Sequence, residues 1–158
     1  MNNNMTTETL AIALWADFAK DWSVTDQGAA LAIHLGTLNY SAVEDAQTLV
    51  DDESYLVLTD EEANERCTEH IKETLWAFNA SFLAGETGID EEVFTRLAEG
   101  YESSNPAFEA IINANGGMDS FVEAAIGADG RGHFLAGYDH NENKVTYNGT
   151  TYYIYRVN

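Results

Sequence analysis

The chain has 158 residues, enough for one domain with a buried core, and its 45% hydrophobic and 11% aromatic content excludes a disordered polymer. Seven basic residues face 27 acidic ones, giving a formal charge of −20; this excludes direct binding to nucleic acid or anionic lipid and points to a basic protein surface or a cation as partner. A single cysteine, Cys67, excludes an internal disulfide.

The charge is unevenly spread. Residues 129–158 hold Arg131, Lys144 and Arg156 against Asp129, Asp139 and Glu142, so the whole net charge lies in residues 1–128. The start lacks a basic region, and no apolar run approaches the roughly 18 residues of a membrane span, so an intracellular protein without membrane contact is expected.

Residues 1–5 read as a frayed tail. Thr6 or Thr7 can cap a helix through about Lys20, with Leu10, Leu14 and Phe18 on its apolar side. Thr25 or Asp26 opens a second helix that Gly36 stops after Leu35. Residues 39–54 are acidic, and Ala42, Val43, Ala46, Leu49 and Val50 suit a short helix. Tyr55–Leu58 is a strand, and being nearly all apolar it is expected inside a sheet rather than on a bare edge.

Thr59 and Glu62 form a capping box. The helix that follows is expected to run from Asp60 to about Phe82, because Ala63, Cys67, Ile71, Leu75, Phe78 and Phe82 recur at three or four residues, with Gly85 and Gly88 ending it. Asp90, Glu91 and Glu92 place carboxylates in the first turn of the next helix, which closes before Gly100. Asn105-Pro106 reads as cap and first position of another, stopped by Asn115-Gly116-Gly117, and a last helix starts at Asp119. After Gly127 the pattern alternates: strands at Val145–Tyr147 and Thr150–Tyr155 flank the turn Asn148-Gly149. A third strand is available from Tyr55–Leu58 or from His133–Tyr138. The expected fold is α+β, a single domain of residues 1–158. Five or six helices pack around a small antiparallel sheet with a C-terminal β-hairpin, in an acidic helical part (6–128) and a neutral hairpin block (129–158).

Among features that bear chemistry, Glu61, Glu65, Glu69 and Glu73 stand at i, i+4, i+8 and i+12, about 200° from the apolar stripe, so they form a solvent-facing ridge. Like charges at this spacing cost a few tenths of a kcal/mol per pair, offset in part by Arg66 and Lys72. Asp51, Asp52 and Glu53, with Asp90, Glu91 and Glu92, extend the acidic surface. A solvated face that serves solubility explains such a ridge as well; a protein imitating nucleic acid would need the same one. Cys67, His70, His133 and His140 supply metal-binding atoms, but their spacing fits no finger or ribbon and Cys67 falls on the buried stripe, so neither metal nor cofactor is expected. Asp139-x-Asn141-x-Asn143 starts like a calcium loop, yet Lys144 and Thr150 occupy the positions that need Gly and Glu, which leaves a polar turn. Arg131, His133 and Tyr138, beside Gly130 and Gly132, form an alternative ligand site in which Arg131 holds an anion and His133 moves a proton. A further alternative is a module that grips its partner through the aromatic C-terminal block. No catalytic residues are assigned.

The segments Tyr-Leu-Val-Leu-Thr-Asp-Glu-Glu-Ala at 55–63, Asp-Gly-Arg-Gly-His-x-Leu-x-x-Tyr-Asp at 129–139 and Tyr-Tyr-Ile-Tyr-Arg-x-Asn at 152–158 together resemble a group of small, acidic bacteriophage proteins of uncharacterised function. Members of that group carry Gly after the Tyr-Asp pair, where this chain has His140. The resemblance carries over no functional residue. What it implies is a setting, the cytoplasm of an infected bacterial host, where a small acidic protein works by covering a basic surface. Restriction enzymes and CRISPR effectors present such surfaces where they hold DNA or guide RNA. The expected activity is a non-catalytic inhibitor of such a defence system, acting as a DNA mimic, with a homodimer possible.

Overall fold

Three antiparallel strands, β1 (Tyr55–Leu58), β2 (Asn143–Tyr147) and β3 (Thr150–Arg156), form a sheet in the order β1-β3-β2. The structure is a computed structural model that describes residues 25–36 and 40–158; the tail of 1–5 and the helix expected over 6–20 lie outside them. Asn148 and Gly149 take φ of 50° and 79°, both positive as a two-residue turn requires, and Tyr147 pairs with Thr150 across it. Tyr55–Leu58 is the third strand, in register with Tyr153–Arg156.

That placement corrects one expectation. Although β1 is nearly all apolar, it is an edge strand of the described sheet, and only Val57 of its four residues is buried. Tyr55 and Val57 pack with two helices, α1 (Asp26–Leu35) and α2 (Tyr40–Asp51), which lie on the sheet and on each other. The α1 helix is capped by the Thr25 hydroxyl, which accepts from Gly28 N, and ends at Gly36 in the left-handed conformation. The buried Gln47 side chain ties α2 to this cap: its Oε1 accepts from Thr25 N at 2.8 Å and Thr25 Oγ1 at 2.9 Å, and its Nε2 donates to Asp51 Oδ1 at 2.8 Å. A Cβ at Gly28 would run into the Gln47 carboxamide, so a glycine that weakens an isolated helix is what lets these two meet.

The chain divides into two compact units, one holding the described residues up to Asn64 together with Leu135–Asn158, the other Glu65–Phe134. The first has the sheet and a core of Ala30, Leu31, Val57, Tyr147, Tyr152 and Ile154. Burial pushes the Tyr152 phenol above its ordinary pKa, and the Asp26 carboxylate adds to the shift.

The second unit is helical. It takes in most of α3 (Asp60–Glu73), then a 3₁₀ turn (Leu75–Ala77), α4 (Ala80–Thr87), α5 (Glu91–Ala98), a second 3₁₀ turn (Tyr101–Ser104), α6 (Asn105–Ala114), α7 (Met118–Asp129) and the start of α8 (Arg131–Leu135). Its buried side chains include Leu75, Leu83, Phe94, Phe108, Ile112 and Phe121, with Phe94 and Phe108 stacked at 5.8 Å. The eight helices among the described residues exceed the five or six expected, and the described strands all fall in the first unit.

Two boundaries differ from expectation for identifiable reasons. The helix expected from Asp60 to Phe82 stops at Glu73: the Thr74 hydroxyl turns back to His70 O at 2.7 Å, Phe78 is extended, and Asn79 caps α4 through Ser81 N. Gly88, not Gly85, closes α4. Helical structure also continues past Gly127 to Leu135, so His133–Tyr138 is not a strand and the expected change to an alternating pattern comes later.

Candidate acidic surface

Helix α3 starts where the sequence requires. Thr59 N donates to Glu62 Oε2 at 2.9 Å and Glu62 N to Thr59 Oγ1 at 3.3 Å, the reciprocal pair of a capping box. Ala63, Cys67 and Ile71 are fully buried, and Glu61, Glu65, Glu69 and Glu73 are all exposed. The ridge therefore exists as a surface. Its axial step is about 6 Å, and each step of four residues turns about 40° around the axis, so the row winds through about 120° as a strip rather than a straight line.

Counted together, the exposed acids of α3 are Asp60, Glu61, Glu62, Glu65, Glu69 and Glu73. Over a helix about 21 Å long this is one carboxylate per roughly 3.5 Å, close to the roughly 3.4 Å of axial rise per phosphate on one strand of DNA. Arg66 and Lys72 on the same helix offset two of these charges.

The other acidic groups differ in how far local structure already employs them. Asp51 closes α2 and accepts from Gln47, and Asp52 and Glu53 follow it in the turn, where negative charge opposes the helix dipole. Ser54 donates from its amide at 2.9 Å to Asp52 Oδ1, and the Ser54 hydroxyl and amide together hold the Asp52 carboxyl below its ordinary pKa. Asp90 caps α5 by accepting from Glu92 N at 2.8 Å, and Glu92 pairs with Arg96 at 2.6 Å on an exposed face, where such a pair contributes little. Glu91 is exposed beside them.

Arg131 and His133 lie in α8 and not in a glycine-rich loop, two residues and so about 200° apart around it. Tyr138 belongs to the other unit, where the Arg156 guanidinium stacks on its ring at 3.7 Å. In the hairpin block the rings of Tyr147, Tyr152 and Tyr155 are buried, and Tyr155 donates to Glu142 Oε2 at 2.6 Å. Asp139 accepts from Asn141 N at 3.0 Å with His140 at φ 58°, the geometry of a polar turn. Among the described residues no three of His, Cys, Asp and Glu are grouped to hold a metal ion, and no helix is long and apolar enough to cross a membrane.

One arrangement escaped the sequence reading: Trp76 and Tyr101 meet edge to face at 6.1 Å. They stand on separate 3₁₀ turns, and neither periodicity nor a motif links them. No family model matches the chain, and neither a curated protein nor a solved structure matches it.

Proposed function

We propose that this protein is a non-catalytic inhibitor that covers the basic nucleic-acid-binding surface of another protein by presenting carboxylates in place of phosphates. The observation that carries the reading is α3, with six exposed carboxylates at nearly the linear density of one DNA strand in a chain of charge −20. The row of glutamates four residues apart repels itself at a cost of a few tenths of a kcal/mol per pair. Helix stability does not account for that cost, and recognition of a basic groove gives the ridge a use. The three segments that resemble bacteriophage proteins supply the setting: in an infected bacterium the basic groove belongs to a restriction enzyme or a CRISPR effector, in the host cytoplasm.

The test is charge reversal. A panel of restriction endonucleases and guide-loaded CRISPR effectors is assayed for DNA cleavage with the wild type and with a variant carrying Glu61→Lys, Glu65→Lys, Glu69→Lys and Glu73→Lys, its fold checked by circular dichroism. At least one nuclease should be inhibited by the wild type and at least tenfold less by the variant. Equal inhibition by both, or no inhibition anywhere in the panel, would sink the reading.

A further inference from the structure

We propose that Tyr101, braced by Trp76 and flanked by Glu99 and Glu102, is an anchor for an arginine side chain on the basic partner. The inference rests on the charge reading above and names the residue that would turn long-range attraction into a specific contact.

Tyr101 is the most exposed large hydrophobic side chain among the described residues, at 69%. Its backbone sits at φ 49°, a conformation that an aromatic residue adopts at a cost. The turn that imposes it is tied from within: Ser103 Oγ donates to Gly100 O, and Ser104 Oγ to Tyr101 O at 2.7 Å. Asn105 fixes the facing turn, accepting from Trp76 N at 3.2 Å and donating to Lys72 O at 2.7 Å. The backbone that carries each ring is thus tied down before any ligand arrives, which lowers the entropy lost on binding.

The Trp76 Nε1 is buried and has no hydrogen-bond partner among the described residues, so the indole offers the surface its ring and not its donor. An edge-to-face contact with Trp76 engages at most one face of Tyr101, and the exposure of the phenol leaves the other to solvent.

The surrounding charge selects a cation. Glu99 is the C-cap of α5, where a carboxylate opposes the helix dipole, and Glu102 follows Tyr101 in the turn; both are exposed. Residues 65–134 carry four basic against 13 acidic side chains. The chain already contains the occupied form of such a site: Tyr138 carries the Arg156 guanidinium at 3.7 Å, whereas among the described residues no cation lies over Tyr101. Guanidinium stacks on an aromatic face while pairing with carboxylates at its edge, which a lysine ammonium cannot do, so arginine is the preferred occupant.

The test uses deca-arginine and deca-lysine as probes of equal charge, with binding to the full chain followed by NMR and Trp76 indole assigned through Trp76→Phe. Deca-arginine should bind about three- to fivefold more tightly than deca-lysine and shift the Trp76 indole signal. Tyr101→Phe should keep that preference. Tyr101→Gly, which relieves the backbone, should abolish it while leaving thermal stability equal or higher. An equal response to both peptides in the wild type, or a preference that survives Tyr101→Gly, would overturn the anchor. Neither result touches the charge reading, which fails separately if the ridge reversal leaves nuclease inhibition intact.

Discussion

At the scale of single residues, the fold depends on polar side chains placed where backbone groups would otherwise lack partners. Thr59 and Glu62 satisfy each other's amides at the start of α3, and Gln47 joins the cap of α1 to α2. Asp52 adds a pH-dependent element. Its folded pKa lies below the unfolded value of about 3.8 because Ser54 donates to the carboxylate, so the stabilisation is complete above that value and is lost as pH falls through the folded pKa. Asp52→Asn keeps an acceptor oxygen but cannot titrate. Its stability should therefore fall less steeply than that of the wild type as pH drops below about 4, measured by urea denaturation at a series of pH values. Superimposable slopes would mean that the Ser54 contacts do not hold in solution.

At the scale of elements, the sequence was most legible where one residue type has one physical use. The Asn148-Gly149 turn, the Thr59 capping box and the Gly36 stop all sit where those residues predict. The break after α3 is hidden in the sequence because Leu75, Phe78 and Phe82 prolong its apolar spacing, so periodicity alone does not mark it. The local signals were Thr74, whose hydroxyl reaches back to His70, and Asn79 with Ser81 as a fresh cap. Asn105 also departed from its expected role: it lies inside α6, and its amide bridges Lys72 and Trp76 across the break. Asn105→Ala removes both bonds and should cost about 1–2 kcal/mol in chemical denaturation. Asn105→Asp, which retains an acceptor for Trp76 N, should lose less. The acidic ridge was legible because it depends only on helical period, whereas the Trp76–Tyr101 pair depends on tertiary packing of two turns.

For the whole molecule, charge is the dominant property. A chain carrying −20 repels itself, and the ridge Glu61, Glu65, Glu69 and Glu73 on α3 adds like charges four residues apart. Such a field extends about 8–10 Å from the surface at moderate ionic strength, which speeds encounter with a basic groove and makes association sensitive to salt. The central claim is that carboxylates occupy the place of phosphates, and displacement of DNA from a nuclease inhibited in the cleavage panel tests it most directly. In that measurement a fluorescently labelled duplex is bound to the nuclease and this protein is titrated in over a range of salt concentrations. The account predicts that the DNA is released competitively, and that the affinity of this protein for the DNA-free nuclease falls steeply as salt rises. DNA that stays bound while the protein inhibits, or an affinity unchanged between low and moderate salt, would contradict it.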